Sequence, residues 1–385
     1  MREGIYLDYQ ASVPVKPEVI SRMEEVVAEM GNPNSTHTFG RKAAGTILGA
    51  KDQLAHFLNV SSRDIAFTSG ATESIEIGLL SVVERAVTDY PEKQWEILVS
   101  PVEHSAVLDT YRWLEDEYDT VNIRNISVDE FGQIDLEHLH TLLNENTLLV
   151  SVMYANNEIG TVYPLRKIGK MIQKYTEEYG SPYPLFHTDA TQAPLYLDCD
   201  VQYLGVDMLS LSAHKVGGPI GIGALYVHPD VPVKRVRPGK GEESGLKSGT
   251  FSPALAAGFG EAIIHTSSEE KVFVAELQAY LWDALQGVDG IVLNGPSLGE
   301  ERLPCNIHIS TPVSAEELLI QLDMAGIGVS AGSACHSRAI EPSHVMQAIT
   351  DDRARIHSAL RISFGYRTTK SELDFFVKML SNSIT

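Results

Sequence analysis

Cysteine is scarce in this sequence, with three residues, Cys199, Cys305 and Cys335, in 385. An odd and sparse set is more typical of a reducing compartment than of a disulfide framework, and it leaves at least one thiol free. Proline and glycine, with 18 and 30 residues, are too few for a collagen-like or low-complexity chain. We therefore expect a folded protein with a substantial core and two or three domains.

Basic residues are also few in comparison with acidic residues. Thirty Lys and Arg against 51 Asp and Glu give a formal net charge of −21. Such a field repels phosphate backbones, so we expect no direct nucleic-acid binding. The main basic segment, Lys234-Arg235-Val236-Arg237, is interpreted as a solvated connection.

Long apolar runs are absent, and no window approaches the roughly 18 residues that a membrane span needs. The first residues, Met1-Arg2-Glu3-Gly4, are not followed by the apolar segment of a secretory signal. Cys335, His336 and His344 lack the paired spacing of a structural zinc site, so no metal is expected. These features predict a cytoplasmic protein without membrane contact.

Short apolar runs alternate with stretches of helical period, which is the pattern of an α/β sheet. The runs cover residues 64–67, 95–99, 148–153, 184–187, 208–211 and 222–227. After about residue 255 the pattern changes to a long helical stretch through Trp282, a hairpin-like region and a last amphipathic helix over residues 371–380. This change predicts a second, smaller domain.

Polar and reactive side chains follow five of these runs. They are the segment 68–72, His104, the Asn156-Asn157 pair, Asp189 with Gln192, and the segment 212–215. Ligands of open α/β sheets bind outside the carboxyl ends of the strands. Five strand ends followed by polar and reactive residues, here called strand exits, therefore predict one shared pocket.

Three of the exits indicate particular chemistry. The turn and helix start at Thr68–Ser74 offers free N–H groups for a phosphate, although an ordinary capped helix has the same pattern. Lys215, between His214 and a glycine-rich turn, is placed to form a Schiff base if it is withdrawn from water, whereas most lysines are solvated. Asp189 after an apolar strand needs a cationic partner, either a protonated pyridine nitrogen or a basic side chain in a buried salt bridge.

Together these residues carry a resemblance to a known family. The chain resembles the cysteine desulfurases, pyridoxal-phosphate enzymes of the class V aminotransferase family with the type I fold. The resemblance runs nearly end to end and is carried by residues 31–37, 67–74, 103–104, 156–160, 187–192, 210–215, 248–250, 330–335 and 359–365.

The resemblance implies a large domain over residues 16–258 with a mostly parallel seven-stranded sheet, and a smaller α+β domain formed by 1–15 and 259–385. It also implies roles for individual residues. Lys215 carries pyridoxal 5′-phosphate, Asp189 pairs with its ring nitrogen, His104 stacks on the ring and acts in catalysis, and Gln192 contacts the phenolic oxygen. The phosphate is held by Thr72, Ser212 and His214, with Thr250 from the neighbouring subunit of a homodimer, and Ala71 also binds the cofactor. Asn156 and Arg361 bind the substrate carboxylate.

Cys335 decides the reaction that we expect. It lies in a segment of small and polar residues, and a thiolate there can attack a sulfur held on the cofactor. The resemblance implies that L-cysteine is converted to L-alanine and that a persulfide on Cys335 passes to an acceptor protein. The pattern is similar to the branch with the longer mobile catalytic loop.

Several alternatives remain open from the sequence. The acceptor could serve iron–sulfur cluster assembly, tRNA thiolation or DNA phosphorothioation. A related lyase or aminotransferase, such as a selenocysteine lyase, would share most of the pocket, and a noncatalytic scaffold could keep the fold. Residues 8–12 depart from the usual family pattern, which leaves open how this segment lines the pocket. Residues 239–247 depart as well, which we interpret as a specialised acceptor or a changed dimer contact.

Overall fold

The computed structural model describes residues 4–239, 245–331 and 342–384. The strands in this part of the chain are β1 (Ile5–Tyr6), β2 (Ile65–Thr68), β3 (Trp95–Val99), β4 (Val121–Asn125), β5 (Thr147–Ser151), β6 (Leu185–Asp189), β7 (Met208–Ser212), β8 (Gly223–Val227), β9 (Val292–Leu293), β10 (Asn306–Ser310), β11 (Ile327–Gly328) and β12 (Ala359–Ser363).

The α-helices of the same residues are α1 (Pro17–Val27), α2 (Thr38–Leu58), α3 (Ala71–Asp89), α4 (Ser105–Glu117), α5 (Leu136–Leu142), α6 (Leu165–Tyr179), α7 (Val201–Leu204), α8 (Pro253–Ile264), α9 (Ser268–Leu285), α10 (Ala315–Met324), α11 (His344–Ile349), α12 (Arg353–His357) and α13 (Lys370–Ile384).

A seven-stranded sheet organises the first two thirds of the chain, in the order β2-β8-β7-β6-β5-β3-β4. Only β8 runs antiparallel to its neighbours β2 and β7, and the remaining pairs are parallel. The carboxyl ends of β2, β3, β5, β6 and β7 therefore meet at one edge. The predicted α/β fold with a mostly parallel seven-stranded sheet is confirmed.

The composition of the strands explains this arrangement. All five residues of β5 and all five of β6 are buried, as expected for inner strands that are covered by helices on both faces. β4 was not among the six predicted runs, because it is an edge strand in which buried Val121 is followed by the exposed Asn122. A half-exposed strand lacks the continuous apolar run that marks the others.

The remaining strands form smaller sheets. β9, β10 and β12 make an antiparallel sheet, and β1 pairs in parallel with β11, which ties the start of the chain to its last third. The predicted long helix is α9, and the predicted last helix lies within α13, which packs against α9 and α10. The stripe of Leu373, Phe376 and Leu380 on α13 is buried core.

The proposed domain boundary at residue 258 falls inside α8, which packs along α1 and α2. A division that keeps this helix whole would lie after Ile264 instead. The assignment of residues 1–15 to the smaller domain agrees with the pairing of β1 and β11. In the described residues, no helix has both the length and the apolar character needed to cross a bilayer.

Candidate active site

A cavity of about 360 Å³ lies at the edge where the carboxyl ends of the parallel strands meet. Nine of the predicted site residues line it: Ala71, Thr72, His104, Asp189, Gln192, Ser212, His214, Lys215 and Arg361. All five predicted strand exits thus contribute to one pocket, as the sequence pattern indicated.

Lys215 lies at the end of a short 3₁₀ turn that directly follows β7. Its Nζ donates to the carbonyl oxygen of Gln10 at 2.5 Å and to that of Ala11 at 3.0 Å. Gly217 then takes a φ of +80°, which lets the chain turn sharply away after the lysine. The amine is therefore inside the cavity and not in bulk solvent.

Asp189 ends β6 with only 5% of its surface exposed. Its Oδ1 accepts from the N–H of Thr191 at 2.9 Å. The salt bridges found among residues 4–239, 245–331 and 342–384 do not include Asp189. A buried carboxylate in the wall of a cavity suits a cationic ligand atom.

Two histidines in the cavity wall are kept neutral by burial. His104 is the N-cap of α4, and its Nδ1 accepts from the N–H of Ala106 at 3.1 Å, which places the ring proton on Nε2. Burial lowers the pKa of His104. Burial and the nearby Lys215 lower the pKa of His214 to about 4. A neutral His104 ring suits stacking on an aromatic ligand.

The amino end of α3 opens onto the cavity through Ala71 and Thr72. Its N-cap is Gly70, and no side chain caps the helix. The first N–H groups of this 19-residue helix therefore remain available, and together with the helix dipole they favour an anion such as a phosphate. The alternative of an ordinary capped helix does not hold here.

Arg361, on β12, is buried and supplies the positive charge on the side of the smaller sheet. Its Nη1 donates to the carbonyl of Asn157 at 2.7 Å, and its Nη2 pairs with Oδ1 of Asp8 at 2.7 Å. The guanidinium is thus held from two sides at the cavity wall. Asp8 was not predicted as a site residue, although it lies in the segment that departs from the family pattern.

Asn156 is not among the residues that line this cavity, and its predicted role in binding the substrate carboxylate stays a prediction. Its side chain is fully buried, donates to the carbonyl of Val102 and accepts from the N–H groups of Glu158 and Ile159. These bonds use the amide to fix a turn. The adjacent Asn157 lines the cavity instead.

The two remaining predicted site residues are Thr250 and Cys335. Thr250 lines a neighbouring cavity that shares Ser69 and Gly221 with the first, which leaves its role across a dimer as a prediction. Cys335 lies outside the described residues. The flanks of its segment contact the site: Ser330 pairs with the backbone of Arg361, and Nε2 of His344 lies 2.8 Å from the carbonyl oxygen of Glu103.

The basic segment 234–237 is not a merely solvated connection. Lys234 pairs with Glu84, and Arg237 pairs with both Glu73 and Glu76 on α3. Lys247, in the second departing segment, also pairs with Glu73. These ion pairs fasten the segment to the helix whose amino end faces the cavity.

The groups that line the cavity fit the parts of pyridoxal phosphate. An uncapped helix end suits the phosphate, Asp189 suits the protonated ring nitrogen, neutral His104 suits the ring face, and Lys215 supplies the amine for a Schiff base.

Comparisons with known proteins agree with this geometry. Residues 5–376 match the profile of the class-V aminotransferases. A cysteine desulfurase IscS of Dictyoglomus turgidum is 37% identical over 390 residues, which cover 100% of this chain and 95% of the relative.

Solved structures agree as well. A NifS-like protein superimposes with a TM-score of 0.89 at 33% identity, covering 98% of both chains. A structure of SspA in complex with cysteine gives a TM-score of 0.80 at 30% identity, covering 94% of this chain and 98% of the other. The chain belongs to the class-V aminotransferase family and, within it, to the pyridoxal-phosphate-dependent cysteine desulfurases.

Proposed function

We propose that this protein converts L-cysteine to L-alanine and transfers the sulfur, as a persulfide on Cys335, to an acceptor protein. The observation that carries the proposal is the convergence of the Lys215 amine, the Asp189 carboxylate and the Arg361 guanidinium in one cavity. Pyridoxal phosphate, when bound, supplies an electron sink that stabilises negative charge at the substrate α-carbon.

The residues of the chain bind the substrate and move its protons. Arg361, which is held in place by the carbonyl oxygen of Asn157, binds the α-carboxylate, because a guanidinium matches the two carboxylate oxygens. The Lys215 amine, released from the carbonyls of Gln10 and Ala11, takes the α-proton. His104 carries its proton on Nε2 and is placed to donate it inside the cavity.

Cys335 takes the sulfur in the next step. The flank before its segment is joined to Arg361 through Ser330, and the flank after it is joined to the strand exit of His104 through His344. Cys335 lies four positions after Ala331, and an extended chain of this length spans up to about 14 Å. The thiolate attacks the substrate sulfur, the carbon–sulfur bond breaks, and the carbon takes up a proton to become alanine.

The working unit in this proposal is a homodimer in which Thr250 of each chain reaches the phosphate of the other. We also propose a cytoplasmic enzyme that delivers sulfur to a protein acceptor and binds neither membrane nor nucleic acid. The net charge of −21 supports the last point. The candidate pathways for the sulfur are iron–sulfur assembly, tRNA thiolation and DNA phosphorothioation.

The test is incubation of the purified protein with L-cysteine and a reductant, with alanine and sulfide assayed and an acceptor protein added if turnover is slow. We expect equal amounts of both products. Cys335→Ser is expected to keep the cofactor absorbance and to form no persulfide. Persulfide formation by that variant would contradict the role of Cys335.

Lys215→Ala separates an enzyme from a scaffold. We expect the unmodified protein to be yellow and the variant to lose the Schiff-base absorption band. A colourless protein that cannot be reconstituted with pyridoxal phosphate would favour a noncatalytic scaffold, and faster turnover of selenocysteine than of cysteine would favour a selenocysteine lyase.

A further inference from the structure

Gln10 is a residue of the cavity wall that the reaction described above does not use through its side chain. It lines the cavity and is only 2% exposed. Its carbonyl oxygen accepts from the amine of Lys215 and from Nε2 of Gln192 at 3.1 Å, and its N–H donates to Oγ of Ser363 at 3.0 Å. The backbone of Gln10 is therefore hydrogen-bonded to residues that follow strands of the seven-stranded sheet and to a residue on β12 of the three-stranded sheet.

The orientation of the Gln10 amide is dictated by a chain of hydrogen bonds. Arg302 can only donate, and its Nη1 bonds Oδ1 of Asn306 at 2.9 Å. The other end of that amide, Nδ2 of Asn306, donates to the carbonyl of Glu158 at 2.7 Å and to Oε1 of Gln10 at 2.6 Å. Since Oε1 is the acceptor in this contact, Nε2 lies at the opposite end of the Gln10 amide.

This Nε2 is buried and has no hydrogen-bond partner in the part of the chain that the structure describes. Two N–H groups without an acceptor are unfavourable in a buried position, so their persistence points to an acceptor supplied by a ligand. The Nε of Arg361 is in the same situation. Two donors in the wall of one cavity thus lack acceptors.

Gln10 and Arg361 are brought together by the small sheet. Asn306 is paired with Ser363, and His308 with Arg361, across β10 and β12. Residues that face each other across antiparallel strands, and residues two apart along a strand, share one face, so Arg361 lies on the face that Gln10 contacts through Asn306 and Ser363.

We propose that Gln10 is a second substrate-binding residue whose Nε2 donates to the α-carboxylate of the amino-acid substrate, beside Arg361. This proposal rests on the proposed function. It adds the side-chain amide of Gln10 to Arg361 as a group that binds the substrate carboxylate. A carboxylate offers acceptors only, and the fixed amide presents donors only. Gln10 also contacts the Lys215 amine through its carbonyl, which places it near the reacting end of the substrate and not at the helix end that suits the phosphate.

The test compares ligands with and without a carboxylate on the holoenzyme. L-Alanine and ethylamine differ only by this group, and their dissociation constants are measured from the change in cofactor absorbance. For Gln10→Met, which keeps the length and removes the donor, we expect L-alanine to bind roughly ten- to a hundredfold more weakly and ethylamine to change less than twofold. The KM for L-cysteine should rise with the L-alanine constant.

Gln10→Glu is the second variant, because it keeps the shape and the acceptor for Asn306 while it replaces the donor by an oxygen. L-Alanine should bind still more weakly to it. Gln278→Met is the matched control, since Gln278 is a buried glutamine whose Nε2 donates to the carbonyls of Leu303 and Asn306. It should change neither ligand constant.

The proposal is overturned if both Gln10 variants bind L-alanine as the unmodified protein does, or if they weaken L-alanine and ethylamine equally. The second result would limit Gln10 to holding Lys215. These outcomes are distinct from failure of the proposed function, in which the unmodified protein itself would bind no L-alanine and would form none from L-cysteine.

Discussion

The ion pair between Asp8 and Arg361 holds a buried charged side chain in the cavity wall. The two side chains are 21% and 4% exposed and lie 2.7 Å apart. Removing one partner leaves a buried charge without compensation. We expect Asp8→Ala to lower the free energy of unfolding by roughly 3 kcal/mol, measured by urea denaturation.

Glu25→Ala is the control for this prediction, because Glu25 pairs with Arg22 at the surface, with side chains 67% and 40% exposed. Such a pair contributes less than about 1 kcal/mol. If both variants lost the same free energy of unfolding, the buried charge of Arg361 would be stabilised by groups other than Asp8.

A second prediction for a single residue concerns His187 on β6. Its ring nitrogens contact the hydroxyl groups of Ser151 on β5 and Ser210 on β7. Burial lowers the pKa of His187 from the ordinary 6.5 to about 4. The unfolded chain therefore takes up the proton first, and stability is lost as the pH falls from about 6.5 towards 4. The loss attributable to His187 is roughly 3 kcal/mol over this window.

The measurement is the free energy of unfolding at pH 7.5 and 4.5 for the unmodified protein and for His187→Asn. We expect the variant to lose less stability on acidification. His140→Gln, at an exposed position, should leave the pH dependence unchanged. A variant as acid-sensitive as the unmodified protein would contradict the assignment.

Single residues also show where the sequence is informative. Lys215, Asp189 and His104 follow buried strands, so their place at one sheet edge could be predicted from the pattern. Asn156 and Asn157 are identical neighbours, and only the backbone decides that one fixes a turn while the other faces the cavity. Gln10 could not be found from the residues, because its place depends on contacts with Asn306 and Ser363, almost 300 or more positions away.

At the scale of elements, β8 must lie directly against the turn before α3. A Cβ added at Gly223 would meet the carbonyl carbon of Gly70 at 2.5 Å and the carbonyl oxygen of Leu211 at 2.6 Å. We expect Gly223→Ala to displace the amino end of α3 and to cost about 1–3 kcal/mol of stability, with weaker binding of pyridoxal phosphate. Urea unfolding and reconstitution of the apoenzyme would measure the two effects.

Gly45→Ala is the matched control, because it lies inside α2 with no atom within 4 Å of the added carbon. This change should stabilise the protein by about 0.5–1 kcal/mol and leave cofactor binding unaffected. A Gly223 variant that binds the cofactor normally would show that the turn adapts.

The inner strands of the sheet were predictable within one or two residues, because continuous burial imposes an apolar run. The edge strand β4 was not. The predicted domain boundary at residue 258 falls inside α8, a helix rich in small residues that packs on α1 and α2.

At the scale of the whole molecule, the cysteines differ in reactivity. Cys199 and Cys305 are 1% and 2% exposed, and burial raises the pKa of both thiols, to about 12 for Cys305. Thiolate is the reactive form, so both should be inert in the native protein. We expect native Cys335→Ser to show no thiol that reacts with an aromatic disulfide reagent, and two after denaturation.

The unmodified protein should show one fast thiol under the same conditions, since the proposed function requires Cys335 to be reactive. Rapid labelling of native Cys335→Ser would contradict the protection of the two buried cysteines. The number of thiols that react in the native state also shows whether each of the variants described above is folded.

Residues 8–12 join the two parts of the molecule: Asp8 holds Arg361, while Gln10 and Ala11 hold Lys215. A chain shortened to begin at Met23 would keep every strand of the large sheet and still lack the groups that hold Lys215 and Arg361. An intact sheet is therefore not sufficient evidence that a truncated form of this protein has an intact cavity.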